Sequence, residues 1–372
     1  MSNNILISGT CGCPGSAVGR ILLWRKGAEK NIKDGDIIVL LDTLIEIPVW
    51  AIQKSGGIVS CAHTSYSHLV SAAMFLNKPC IVGAKFSSHP TNFEIAFINA
   101  FQCVFYLNGE GVVSKKEIGW YQAVSDSICG ILNSSENKTL AHIVTLDNLQ
   151  YFVSLINGVF LDATVFQNRL HKIPYLIDSI SEKVLQYPSL KVHYRFSKNP
   201  TDKTEMGVKR EIEFICALRE RGIDVSLFFP NASTYSDIVL FNSNIREIFA
   251  DSSIKTGAMI ESYQILNDIE VIATDKIIDF AVVGINDFMS SCLGLNRDDP
   301  INQSRFSLDN RQIEHSLAKI LKAFQEVEIP CYIGYPKYNR FLDDIKILMR
   351  LGFQNFFGTP SLFEITQRYR NN

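Results

Sequence analysis

With 372 residues the chain has room for two domains, or for one barrel of about 250 residues with a smaller companion, and a single small binding module is excluded. Hydrophobic residues make up 47% and charged residues 20%, which is enough apolar surface for real cores and leaves no long disordered tail. The 36 Lys and Arg against 38 Asp and Glu give a net charge of −2 with no basic run, which excludes nucleic acid and anionic membranes as expected partners.

The first residues, MSNNILISGTCGCPGSAVGR, carry no basic start followed by an apolar run and a cleavage site, and no window is apolar over ~18 residues. A cytoplasmic protein is therefore expected. The nine cysteines are odd in number and scattered, several inside apolar strand-like runs, which points to reduced, buried thiols. Only Cys11 and Cys13 lie close together, and no second Cys/His pair at zinc spacing accompanies them.

From residue 5 to about 115 short β runs alternate with Gly, Asn and Asp turns: ILIS, GRILLW, DIIVLLD, GGIVSC, KPCIVGA, EIAFINA and CVFYLNG, interrupted by the helix-like SHLVSAAMFLN. Residues 116–140 carry helical spacing and then a polar Ser/Asn cluster, the pattern of a connecting helix and linker. Beyond them strands and amphipathic helices alternate to the end. Seven strand candidates stand out: GVFLDA, KVHYRF, DVSLFFP, KTGAMIES, DFAVVGIND, PCYIGY and NFFGTP. Strict alternation implies a parallel sheet with crossover helices, closed at this length as a (β/α)8-type TIM barrel that lacks one visible strand.

Three places carry candidate chemistry. In the strand, loop, helix and strand from Gly57 to Gly83, His68 falls where the loop enters the helix, and the free amides and dipole there favour an anion. Ser65 and Ser67 can donate further hydrogen bonds, and a histidine that only satisfies the helix start is the alternative. Strand KTGAMIES ends in Glu261, and DFAVVGIND ends in Asn286 and Asp287. Two carboxylates at the C-terminal ends of neighbouring barrel strands suit Mg²⁺, which needs one or two protein carboxylates and keeps several waters. Helix caps or surface charges are the alternative for each. Two arginines stand near strand ends, Arg195 in KVHYRF and Arg219 in CALRERG just ahead of a strand, a plain helix-face position being the alternative for Arg219.

The Gly57–Gly83 stretch resembles the phosphohistidine loop of the phosphoenolpyruvate-utilising enzymes, the family that includes pyruvate phosphate dikinase, phosphoenolpyruvate synthase and enzyme I of the sugar phosphotransferase system. The opening from Gly9 to Gly19 resembles the start of the same swivelling domain. GAMIES resembles the family's G-x-M-x-E, and GINDFMSSCLGLNRDD its G-T-N-D-L-x-Q-x-x-L-x-x-D-R. There are departures. His63 and Thr64 replace two glycines, Met74 replaces an arginine, and Ile333 stands at the position of the cysteine that protonates the enolate.

The resemblance implies an N-terminal swivelling β/β/α phosphohistidine domain over 1–115, a linker helix over 116–140 and a phosphoenolpyruvate/pyruvate-binding TIM barrel over 141–372. It implies a phosphotransferase that moves the phosphoryl group of phosphoenolpyruvate to His68, releases pyruvate and passes the phosphate to an acceptor supplied in trans. Glu261 and Asp287 would bind Mg²⁺, Asn286 would touch the phosphate, Arg297, Arg195 and Arg219 would grip substrate, and a homodimer through the barrel is expected. Tyr335 at the rim, or Cys331 one step deeper on the same strand face, would protonate the enolate, unless both only pack. Two alternatives stay open: a catalytically impaired homologue that binds a ligand or regulates, and an enzyme that keeps the phosphohistidine but runs the barrel on another enol or keto acid.

Overall fold

The computed structural model describes residues 3–41, 45–88, 90–107, 115–132, 138–143, 156–163, 173–187, 190–201, 205–337 and 340–359. Residues 133–137 of the expected linker lie outside them. The N-terminal part is one eight-stranded sheet of β1 (Asn3–Asn4), β2 (Leu6–Cys13), β3 (Ser16–Leu23), β4 (Ile37–Leu40), β5 (Gly57–Ser60), β6 (Cys80–Phe86), β7 (Ile95–Asn99) and β8 (Val104–Leu107). Its spatial order is β1-β8-β7-β3-β4-β5-β6-β2. Strands β3, β4, β5 and β6 pair in parallel, and the outer pairs are antiparallel. The continuous β-branched runs of β4 and β5 are buried at every position, as expected of strands covered on both faces. Helices α1 (Val49–Lys54) and α2 (His68–Phe75) accompany the sheet.

After α3 (Lys115–Leu132), eight parallel strands close into a barrel in chain order. They are β9 (Lys138–Ile143), β10 (Gly158–Asp162), β11 (Lys191–Arg195), β12 (Val225–Ala232), β13 (Thr256–Ile260), β14 (Phe280–Val283), β15 (Cys331–Gly334) and β16 (Asn355–Gly358). The strand missing from the sequence reading is β9, which pairs with β10 on one side and β16 on the other. The α/β class and the parallel barrel therefore stand, and the barrel is complete.

The barrel's outer helices are α4 (Ile173–Leu185), α5 (Met206–Glu220), α6 (Tyr235–Phe249), α7 (Ile269–Thr274), α8 (Ile285–Leu293), α9 (Arg311–Gln325) and α10 (Phe341–Leu351). The stretch from Met206 is the first turn of α5. Local sequence fixes several helix ends. Thr234 and Asp237 form a reciprocal capping box on α6, and Gly352 ends α10 in the left-handed region at φ +96°.

Strand alternation sorts the barrel side chains into two layers. Phe160, Phe228, Met259, Phe280, Val282 and Tyr332 point inward and form one apolar plug with Phe357. Phe160 meets Phe228 at 4.9 Å between ring centroids, and Phe228 meets Phe280 edge-on at 5.7 Å. His193 joins this plug against Phe280 and Tyr332. Both its ring nitrogens are buried without a partner among the described residues, and burial, helped by Lys191 and Lys255, pushes its pKa down to about 4. The ring is therefore neutral packing material at ordinary pH. The alternate residues, such as Val192, Leu227, Ile260, Val283 and Ile333, face outward into the layer beneath the helices.

The N-terminal part is seated against the barrel by specific contacts. The Thr64 hydroxyl donates to the Arg297 carbonyl, the Tyr66 hydroxyl donates to the Phe306 carbonyl at 2.6 Å, and Gln303 Nε2 donates to Thr10 Oγ1 at 3.0 Å. No helix among the described residues is long and apolar enough to cross a membrane. All nine cysteines are free and none is fully exposed.

Candidate active site at the barrel mouth

At the C-terminal rim the inward positions change from apolar to charged. Strand register sets Asp162 of β10 beside Arg195 of β11, and Arg195 Nη1 donates to both carboxylate oxygens at 3.0 Å. Arg195 Nη2 also stands 3.9 Å from Glu261 Oε2, while its Nε is buried with no partner among the described residues.

Glu261 follows β13 and is 6% exposed. Two local features of the backbone hold it there. Asn231, in the left-handed region at φ +57° where β12 shifts register, donates its N–H to Oε2 at 3.0 Å. Gly284 leaves the space the side chain occupies, since a Cβ at that position would lie 2.6 Å from Glu261 Cγ and 2.7 Å from Oε1. Burial raises the Glu261 pKa to about 7; Arg195 and the Asn231 amide pull it down, while Asp287 and Asp162 raise it further. A buried carboxyl facing two more carboxylates is a place where a cation relieves repulsion.

Asp287 lies in the first turn of α8 and pairs with Arg297 Nη1 at 3.1 Å. Asn286 lines the same space, its Oδ1 buried and unpartnered among the described residues. Together these groups line a cavity of about 510 Å³ between the barrel mouth and α2, within the usual range for a small-molecule site. No cluster of three or more His, Cys, Asp or Glu side chains disposed to hold a metal occurs among the described residues. The oxygen donors that could meet a cation are the Glu261 and Asp287 carboxylates with the free Asn286 amide oxygen, a donor set that fits Mg²⁺ completed by waters.

His68 is the first residue of α2, capped by Ser67, whose Oγ accepts from the Val70 N–H. Its ring lines the cavity with Nε2 hydrogen-bonded to Arg297 Nη2, and Nδ1 is 3.4 Å from Asp298 Oδ2. The His68 backbone N–H meets Asp298 Oδ1 at 3.3 Å. The anion at this helix start is thus a carboxylate of the protein itself. His63 bonds Ser60 Oγ through Nδ1 at 2.8 Å, and burial lowers its pKa against the pull of Asp298.

The structure brings together His68, Arg195, Glu261, Asn286, Asp287 and Arg297. Arg219 is elsewhere: it ends α5 just before β12, at the opposite end of the barrel, paired with Asp251. Cys331 and Tyr335 do share a face with Ile333, but that face looks outward. Cys331 packs beneath the helices, and burial pushes its thiol up to about 12. The Tyr335 ring borders the cavity but is stacked on Phe341 and Phe356 in the outer layer.

One residue at the mouth escaped the sequence reading. Lys337, after β15, is 8% exposed and donates from Nζ to Ser71 Oγ at 3.1 Å and to Met74 Sδ at 3.8 Å. Burial lowers its pKa to about 7, with Arg297 lowering it further and Asp287 and Cys13 opposing. A lysine directly after a buried strand, in GYPK, was the only signal available.

No protein-family profile matches the sequence, and no curated protein matches it. Among solved structures, the chain is similar to a HpcH/HpaI aldolase/citrate lyase family protein from Burkholderia cenocepacia: 11% identity, 66% of this chain and 97% of that one covered, TM-score 0.45. It is also similar to protein CitE from Mycobacterium tuberculosis in complex with magnesium and pyruvate: 14% identity, 64% and 91% covered, TM-score 0.41. The same CitE with magnesium, acetoacetate and coenzyme A aligns at 13% identity over 63% and 81%, TM-score 0.42.

These findings correct the expectations that rested on the resemblance. The similar structures are aldolase and citrate lyase barrels, and no profile of the phosphoenolpyruvate-utilising enzymes matches. Membership in that family falls. With it fall the kinase-type phosphotransferase working through phospho-His68, the swivelling phosphohistidine domain, phosphoenolpyruvate with an acceptor in trans, and the impaired-homologue alternative. The physical reason is local. The Gly57–Gly83 string is what a buried strand, a Ser cap, a short helix and a return strand require, and Asp298 with Arg297 already engages His68.

Proposed function

We propose that this chain is a divalent-cation-dependent enzyme of the lyase type, breaking or making a carbon–carbon bond beside the carbonyl of a small oxo acid. The observation that carries the reading is the meeting of Glu261 and Asp287, from successive strand ends, with Arg195 and Arg297 in one cavity.

Charge supports an anionic substrate. Asp162 is matched by Arg195 and Asp287 by Arg297, so a divalent cation beside Glu261 would leave the cavity positive. Bound to Glu261 and Asp287, Mg²⁺ would supply a Lewis acid for the carbonyl oxygen. Arg195, fixed by the bidentate Asp162, presents its remaining N–H groups toward the oxygen on which charge develops when the adjacent carbon bond breaks. Arg297 and Asn286 lie on the α8 side of the cavity and suit the substrate carboxylate. The aromatic plug below the rim closes the barrel, so substrate is confined to the mouth.

The test is proton NMR of pyruvate, and of 4-hydroxy-2-oxo acids as cleavage substrates, with Mg²⁺. Cleavage is expected in the wild type, with loss of ~10²-fold or more in Asp287→Ala and Glu261→Ala. Cleavage that survives both substitutions, or full activity in EDTA, would overturn the reading.

A further inference from the structure

Lysines are rarely buried without an acidic partner, because an ammonium away from water needs a counter-charge. Lys337 is such a case. Its Nζ meets the neutral Ser71 Oγ and Met74 Sδ, and among the described residues no carboxylate lies within ion-pair distance. Its side chain reaches from the loop after β15 to α2 and lines the same cavity as Glu261, Asp287 and Arg195. The groups that act on it from neighbouring elements are Arg297 beyond α8, Asp287 on α8 and Cys13 on β2, and His68 on α2 borders the same space. A group that only tied α2 to the barrel could be a neutral donor. An amine placed in a cavity beside two arginines has a different use.

We propose that Lys337 is the acid–base group of this cavity, moving the proton at the carbon next to the substrate carbonyl. This rests on the reading of the cavity as an oxo-acid site. In the direction of bond formation, the neutral amine takes the proton from that carbon, the C–H bond breaks, and its electron pair moves onto the carbonyl oxygen beside Arg195. In the direction of cleavage, the ammonium returns a proton to the enolate carbon. Ser71 Oγ orients the amine in both states, accepting from the ammonium or donating to the free base. The placement also fills the role that Cys331, packed beneath the helices, and Tyr335, its ring stacked on Phe341 and Phe356, leave open. Burial and Arg297 bring the amine to about 7, matched to proton transfer near neutral pH.

The experiment follows exchange of the pyruvate methyl protons in deuterated buffer with Mg²⁺, beside the heat stability of the protein with and without pyruvate. In the wild type, exchange is expected to rise with pH through about 7. Lys337→Met, which keeps the apolar stem, is expected to lose exchange by ~10²-fold or more while pyruvate still raises its melting temperature. Small primary amines are expected to restore part of the rate in Lys337→Ala. In the metal-free protein, the pH profile of acetylation at Lys337, read by mass spectrometry, is expected to have its midpoint near 7 and not near 10.5. Wild-type exchange in Lys337→Met, or an acetylation midpoint near 10.5, would overturn the assignment and leave the oxo-acid reading standing. Absence of both stabilisation and exchange in the wild type would sink that reading and the assignment with it.

Discussion

The barrel's interior plug and its mouth are built on the same strands, one inward step apart. On β10 the inward residues run Phe160 then Asp162, on β11 His193 then Arg195, and from β13 Met259 leads to Glu261. The lower member of each pair packs or is neutral. The upper member is charged and faces a cavity. A step of two residues along a strand, about 7 Å, therefore separates the packed interior of the barrel from the ionisable groups that line its mouth.

The sharpest way to break this division is to damage each layer and read both stability and activity. Phe228→Ala removes a fully buried ring from the centre of the plug and is expected to lower unfolding free energy by ~3–5 kcal/mol, measured by denaturant titration. Oxo-acid cleavage per folded molecule should fall little, because no mouth residue is touched. A large loss of cleavage with little loss of stability would erase the distinction between the layers.

Gly284→Ala addresses the boundary itself. The added methyl must displace Glu261, whose Cγ and Oε1 lie 2.6 and 2.7 Å from the new atom. The expected cost is ~1–3 kcal/mol of stability, with cleavage lost nearly as completely as in Glu261→Ala. Retained cleavage would mean that Glu261 is not needed where the glycine holds it.

The narrowest test is the most specific. The Lys337 amine has a folded pKa of about 7, below the ordinary 10.5. The stability linked to this group is therefore fully present above about 10.5 and is lost as pH falls through about 7. Lys337→Met removes that loss. Its melting temperature should gain on the wild type by a few degrees between these limits as pH is lowered, and run parallel to it below. Parallel curves over the whole range would mean that the amine is solvated in the folded protein.

Alternating periodicity made the strands and helices of the barrel legible, and the strand-end rule singled out Glu261, Asp287 and Arg195. The eighth strand was not legible, because KTLAHI follows directly on a polar Ser/Asn cluster and joins the barrel only by pairing with β10 and β16. Arg219 misled because closeness to a strand in sequence does not say which end of the barrel is near. A residue before a strand is at the bottom, and one after it is at the mouth. For Cys331 and Tyr335, four residues of strand do not reveal whether the face they share with Ile333 is the inner one. Lys337 was invisible because its burial comes from α2, over 260 positions away in the chain.

The apolar layer beneath the barrel helices does not stop at the barrel. Tyr66, Leu69, Val70, Ala73 and Met74, on and just before α2, belong to the same buried cluster as Ile333, Tyr335 and Phe356. Lifting the N-terminal sheet off the mouth would bring that shared surface into contact with water, so the two parts melt as one cooperative body. A calorimetric trace with a single transition, whose van't Hoff and measured enthalpies agree, is the signature of that union. Ligand traffic would then use the side where the His68 ring, 76% exposed, already meets solvent, and turnover would proceed without the halves parting.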